Sequence, residues 1–186
     1  FGWADKERGI RMEPNMLMRF ASVSKLITAV GIMKLQEMKK LRMNEKVFGP
    51  KGILNDTTYN NGIKDQRYYN ITVEQLLRHQ AGFNNYAGDP VSSTRYIMMQ
   101  NHLTTPPDHK TLLKILLKRH LGYTPGEGKC YSNLGYMILS MIIEKKSRMK
   151  YENFMQKYVL QPAGCYDMHI AGTYYKDRRP HETTYY

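Results

Sequence analysis

Residues 134–146 constrain the fold of this chain more than any other stretch. They read Leu-Gly-Tyr-Met-Ile-Leu-Ser-Met-Ile-Ile-Glu-Lys-Lys, with apolar residues almost all round at helical spacing. A helix apolar on one stripe can lie on a surface, but one apolar on nearly every side has to be surrounded. The chain is therefore expected to wrap other elements around this helix. A second long helix is expected from residue 22 to about residue 40, where Val23, Leu26, Ile27, Val30 and Met33 recur at helical spacing. That helix ends in a basic turn, which suits its negative end.

The remaining elements are shorter. Residues 1–4 read as the end of a strand, followed by a charged turn over 5–9, and residues 16–20 as a second short strand. Residues 41–70 are rich in Asn, Gly, Asp and Tyr and read as loop, with Gly49-Pro50 and Asn61-Gly62 as turn signals. Thr72 is followed three residues later by Gln75, a capping-box pattern that starts a short helix over 73–79. Residues 83–95 read as loop and 94–101 as helix. Asp108 is placed to cap a helix over 109–120, with Leu112, Leu113, Leu116 and Leu117 as its apolar stripe. Residues 151–160 form a last helix, closed by Pro162 and Gly164. Two or three short strands make too small a sheet to stand alone.

Composition narrows the function. Lys and Arg number 28 against 16 Asp and Glu, a net charge of +12. The basic residues are scattered along the chain, so no nucleic-acid interface is expected. The two cysteines, Cys130 and Cys165, have no metal-ligand spacing, and whether they pair is open at this level. The apolar runs fall well short of the roughly 20 residues a membrane span needs.

Ser22 and Lys25 stand three residues apart at the start of the second helix, so they share a face of its first turn. A hydroxyl beside an amine at a helix N-terminus can make a nucleophile. Taken alone, the pair reads first as an N-cap and a solvated lysine, the commoner use of such residues. Tyr131 and Asn133, two apart at the start of the apolar helix, are placed to reach a shared cleft. On its own Tyr131 reads first as a surface tyrosine, and Asn133 as readily as a cap for the helix, a role it can combine with the cleft.

Four ordered motifs shift that balance. Phe20-Ala21-Ser22-Val23-Ser24-Lys25 carries an S-x-x-K pattern. Tyr131-Ser132-Asn133-Leu134-Gly135-Tyr136, preceded by Pro125-Gly126, carries Y-x-N. Between them lies Glu74-Gln75-Leu76-Leu77-Arg78-His79-Gln80-Ala81-Gly82-Phe83. After them come Glu152-Asn153-Phe154 and Gln161-Pro162-Ala163-Gly164. In these motifs the chain resembles the serine β-lactamase and penicillin-binding-protein superfamily, in the branch of class C β-lactamases, D-alanyl-D-alanine carboxypeptidases and related esterases. The resemblance covers nearly the whole chain.

The resemblance implies an α+β fold in which an antiparallel sheet domain adjoins a helical domain. Residues 1–40 would be a strand remnant of the sheet domain plus the nucleophile helix, and residues 41–186 the helical domain. It implies Ser22 as nucleophile, Lys25 and Tyr131 as the proton-handling pair, Asn133 as a substrate-binding amide and the Ser22 backbone N–H as half of an oxyanion hole. A lysine serves as base only as the neutral amine, and a tyrosine only as phenolate. The two would titrate together. His79 is read as a structural residue ending its helix, and Ser24 and Ser132 as non-attacking neighbours.

The implied chemistry is acyl transfer from a β-lactam, a D-Ala-D-Ala peptide or a small ester, with no cofactor or metal. The partner is a small-molecule or peptidoglycan-like substrate. The place is the periplasm or cell surface of a bacterium. A non-catalytic module binding cell-wall peptide or a protein is the alternative.

One family motif is missing. No Lys-Thr-Gly or Lys-Ser-Gly occurs, and His169-Ile170-Ala171-Gly172 has the wrong spacing and follows Tyr131 too closely. The strand that would supply the second oxyanion donor is therefore expected to lie outside these residues, leaving the sheet incomplete. The apolar face of the Ser22 helix is then expected to be uncovered, and to be covered by self-association or by a second chain.

Overall fold

The computed structural model describes residues 1–86 and 88–186. The loop expected over 83–95 includes Ala87, which lies outside the described residues. Among the described residues the elements are a hairpin of β1 (Trp3–Asp5) and β2 (Ile10–Arg11), then seven α-helices. These are α1 (Ser24–Glu37), α2 (Thr57–Asn60), α3 (Val73–Leu77), α4 (Thr94–Gln100), α5 (His109–Leu116), α6 (Asn133–Ser147) and α7 (Tyr151–Met155). The content is α+β, with the sheet reduced to one antiparallel pair.

α6 is the centre, as its composition requires. Leu134, Gly135, Met137, Ile138, Leu139, Met141, Ile142 and Ile143 are all buried. The Ser132 hydroxyl caps it by accepting the Gly135 N–H at 3.0 Å. Asn133, read as a cap from the sequence, is instead the first residue of the helix, which frees its side chain for other contacts. Arg148 ends α6 in the left-handed region (φ 58°), and its N–H bonds to the Glu144 carbonyl.

α1, α3 and α7 pack on α6. α1 does so through Thr28, Gly31, Ile32 and Leu35. Gly31 allows the approach: a Cβ there would sit 2.6 Å from the Met155 sulfur of α7. The stripe that marked α1 in the sequence lies on the other side. Val23, Leu26, Val30 and Met33 are 56%, 68%, 51% and 53% exposed, and only Ile27 of that set packs on the core. α3 begins with the expected capping box, in which Thr72 Oγ1 accepts the Gln75 N–H and Gln75 Oε1 accepts the Thr72 N–H.

A second part of the core joins α2 and α5, where Leu112, Leu113, Leu116 and Leu117 are buried. Asp108 caps α5 through the Thr111 N–H at 2.7 Å. α5 stops at Leu116 rather than His120. The Leu121 N–H turns away to the buried Asp65 carboxylate (3.0 Å), an acceptor outside the helix. Asp65 also holds Arg67 through Nη2 at 2.7 Å, and the guanidinium keeps its carboxyl far below the usual carboxylate range.

Several local expectations are corrected. Residues 16–20 are not a strand; Leu17 makes only an isolated bridge to Glu182, with its N–H on the His181 carbonyl at 2.8 Å. The second strand is Ile10–Arg11, returning from the turn over 5–9. The 41–70 loop contains α2 and a 3-10 turn at Gln66–Asn70. The helix expected over 151–160 is α7 followed by a π turn, Gln156–Leu160. There the Gln161 N–H bonds five residues back to Gln156, just before Pro162, which has no N–H to continue an α ladder. Cys130 and Cys165 are free thiols.

Candidate active site

Ser22 sits in a single 3-10 turn, Ala21–Val23, that leads into α1. It is not a cap: the residues preceding the turn and the helix are Phe20 and Val23, and neither makes a side-chain cap bond. Ala21, just before it, has φ 45°, a conformation L-residues avoid. The Ser24 hydroxyl donates to the Ala21 carbonyl and so braces that turn. The Ser22 N–H belongs to the first turn of the helical run, where backbone donors lack intrahelical acceptors.

From this turn Lys25 points back, and its Nζ donates to Ser22 Oγ at 3.2 Å and to Asn133 Oδ1 at 2.5 Å. The same amine lies 4.7 Å from the centre of the Tyr131 ring and 5.7 Å from that of Tyr136, positions that suit a cation over aromatic faces. The structure therefore brings together Ser22, Lys25, Tyr131 and Asn133, from segments more than a hundred residues apart. The Lys25 amine, and after it the Ser22 hydroxyl, hold the Tyr131 phenol below the ordinary tyrosine pKa; desolvation, and after it the charge of Asp89, oppose them.

Asn133 is fixed from behind. Its backbone N–H donates to Asp89 Oδ2 at 2.8 Å, and its amide nitrogen approaches Ser92 Oγ at 3.4 Å. The Ser92 contact turns the amide so that its oxygen faces Lys25. Asp89 is held in turn by the Val91 N–H on Oδ1 at 3.0 Å. Asn85 donates to the Tyr131 carbonyl at 2.7 Å. These loop residues were not singled out from the sequence. Asp89-Pro90-Val91 carries a turn signal, but nothing local says which helix the carboxylate meets. The helix expected over 73–79 stops at Leu77 with Arg78 as its C-cap, so His79 lies just past α3, and its ring reaches away from that helix to the segment that carries Tyr131.

The site is open, with Ser22 exposed and Tyr131 48% exposed. A depression of about 590 Å³ between the hairpin and residues 175–182 contains none of the four residues. Its lining includes Tyr175 and Lys176 but no serine, threonine or cysteine. His120-Leu121-Gly122 spells His-x-Gly, the other form that the third motif of the resembled family takes on its edge strand, but it lies in the turn pinned by Asp65, ahead of Tyr131 in the chain, and not on a strand. Among the described residues no cluster of His, Cys, Asp and Glu could hold a metal ion.

The whole chain, residues 1–186, matches the family model described as Beta-lactamase. Penicillin-binding protein 4* of Bacillus subtilis is 28% identical over 172 residues, covering 91% of this chain and 34% of its own length. The putative penicillin-binding protein PbpX of the same organism is 26% identical over 180 residues, covering 97% of this chain and 39% of its own. The chain thus spans little more than a third of the length of these relatives. A solved penicillin binding protein from Bacillus halodurans superposes with a TM-score of 0.71 at 22% identity, over 98% of this chain and 52% of that one. EstCE1, a hydrolase with promiscuous acyltransferase activity, does so with a TM-score of 0.66 at 21% identity, over 88% and 42%. The helices and hairpin match part of this α+β fold.

Proposed function

Because the chain belongs to the beta-lactamase family, we propose that Ser22 is the nucleophile of a serine hydrolase or acyltransferase. The substrate class is a β-lactam, a D-Ala-D-Ala peptide or a small ester. The observation that carries this reading is the Lys25 amine, 3.2 Å from Ser22 Oγ and 2.5 Å from Asn133 Oδ1, beside a tyrosine whose pKa it lowers.

In the first step the Ser22 oxygen bonds to the substrate carbonyl carbon while its proton passes to the base. The carbonyl oxygen becomes an oxyanion facing the Ser22 N–H. Collapse then breaks the bond to the leaving nitrogen or oxygen, which takes the proton and leaves an ester on Ser22. Water resolves that ester in the second step. Tyr131 suits the role of base, since the Lys25 amine and the Ser22 hydroxyl favour its phenolate. Lys25, held between the Asn133 oxygen and two aromatic faces, suits the role of the charge that moves it. The Asn133 amide serves the acyl side chain of the substrate.

An oxyanion donor is worth about 10²–10³ in turnover, so a second donor beside the Ser22 N–H would add that factor to acylation. The exposed stripe on α1 is assigned to a covering surface, either a second copy or another chain. The relatives are bacterial penicillin-binding proteins, and we place this protein at the bacterial cell envelope. Among the described residues no helix is long and apolar enough to cross a membrane.

The test is covalent labelling. The protein is incubated with a labelled penicillin and with a fluorophosphonate, and the adduct is mapped by peptide mass. A modified Ser22 that disappears in Ser22→Ala supports the reading. No adduct with either reagent, or an undiminished adduct in the variant, overturns it and leaves a binding module.

A further inference from the structure

His79 stands where the two halves of the site meet. It follows the end of α3 in a left-handed conformation (φ 60°) that aims its ring at the segment ahead of α6. The ring lies 4.7 Å from the Tyr131 ring and 5.2 Å from that of Tyr136, centre to centre. Its Nδ1 accepts the Ser132 N–H at 3.1 Å. Its carbonyl accepts the Cys130 N–H at 3.0 Å and the Tyr123 hydroxyl at 3.1 Å. One residue therefore holds residues 130 and 132, on both sides of Tyr131 and immediately before Asn133.

We propose that His79 is a positioning residue, which by accepting the Ser132 N–H at Nδ1 sets Tyr131 and Asn133 against Ser22 and Lys25. Its effect on labelling rests on the reading of Ser22 as nucleophile, whereas the tether itself does not. An imidazole nitrogen that accepts an N–H carries no proton, so the bonded ring is neutral and protonated only at Nε2. The charged or titratable groups that face it are Lys25 from α1, Lys129 from the segment before α6, and the phenols of Tyr131 and Tyr136. Burial, then Lys25, then Lys129, hold its pKa below the ordinary histidine value. Protonation at Nδ1 sets N–H against N–H and releases the segment that carries Tyr131 and Asn133. The site thereby loses alignment as the pH falls.

Two variants separate this role from plain helix ending. His79→Asn keeps an oxygen near the Nδ1 position, tolerates a left-handed backbone and does not titrate. His79→Phe keeps the ring stacking but has no acceptor. The Ser132 amide resonance of the ¹⁵N-labelled protein is followed through the histidine range. In the wild type it moves with a midpoint below about 6.5, and in His79→Asn it stays in place. The ratio of wild-type to His79→Asn labelling of Ser22 is constant above about pH 7 and falls toward acid. Folded His79→Phe labels on the order of 10–100-fold more slowly than wild type. A Ser132 resonance that ignores the titration, or a folded His79→Phe that labels at the wild-type rate, overturns the proposal. If Ser22 does not label at all, the nucleophile reading fails, and the Ser132 resonance still decides the tether.

Discussion

Replacing Tyr131 by Phe removes one oxygen and little else. The ring keeps its place beside His79 and under the Lys25 amine, both 4.7 Å away. It is half-exposed, so its loss of polarity leaves no buried donor or acceptor unpaired. Stability should change by no more than about 0.5 kcal/mol, and the melting temperature by about 2 °C or less for a chain of this size. Catalysis should change far more. If the phenolate takes the Ser22 proton, its removal costs about 10²–10⁴ in acylation rate, or about 3–5 kcal/mol of barrier at 1.36 kcal/mol per tenfold. The cause can be read directly. Phenolate absorbance is titrated in wild type and in Tyr131→Phe, and the difference isolates one tyrosine of 15. Its midpoint is expected below the ordinary value of about 10, because Lys25 and Ser22 favour the anion. In Lys25→Met the midpoint should move back up. A midpoint at or above the ordinary value, or a Tyr131→Phe protein that labels Ser22 as fast as wild type, would refute Tyr131 as the base.

Two further outcomes follow from packing and charge. Asp65→Asn removes the charge that pairs with Arg67 and one of the two oxygens that serve Arg67 and the Leu121 N–H; with Arg67 partly solvated, the cost is about 2–3 kcal/mol, read as a drop of roughly 4–12 °C in melting temperature. The Asp65 pKa is depressed in the fold, so this contribution is present above the unfolded value and lost as pH falls. The gap between wild type and variant should therefore close below about pH 4. The α1 stripe should make the protein associate with rising concentration, and Leu26→Glu with Val30→Glu should restore a monomer without lowering its melting temperature. Light scattering that finds the unmodified protein monomeric at every concentration would count against a sticky face.

The sequence was most legible where one element decides its own state. The Thr72–Gln75 capping box, the Asp108 cap and the buried α6 all depend on residues within a turn or two. It was least legible where a distant partner decides. The side of α1 that packs on α6 is lined by Thr28 and Gly31 as well as Ile32 and Leu35, so the more apolar stripe drew attention while the mixed one was buried. Leu17 pairs with Glu182 across nearly the whole chain, which no local pattern signals. At the site, Ser22 with Lys25 and Tyr131 with Asn133 were each visible as close pairs, and the four motifs in order joined them. Asp89, Ser92 and the reach of the His79 ring depend on how residues 88–93 and the end of α3 meet the start of α6, and sequence spacing carries no record of that.

The sharing of α6 between core and site makes the two halves of the site unequal. Asn133 is the first residue of the helix around which everything else is packed, and Ser132 and Asp89 tie down its leading amides. While His79 is neutral and holds the Ser132 N–H, opening that end means opening the protein, so its amides should then exchange with solvent only at the rate of global unfolding. Ser22 rides on one exposed turn behind a strained Ala21 and can fray alone. Mild denaturant should therefore silence the nucleophile while Tyr131 and Asn133 still hold their places, and dilution should restore it without refolding.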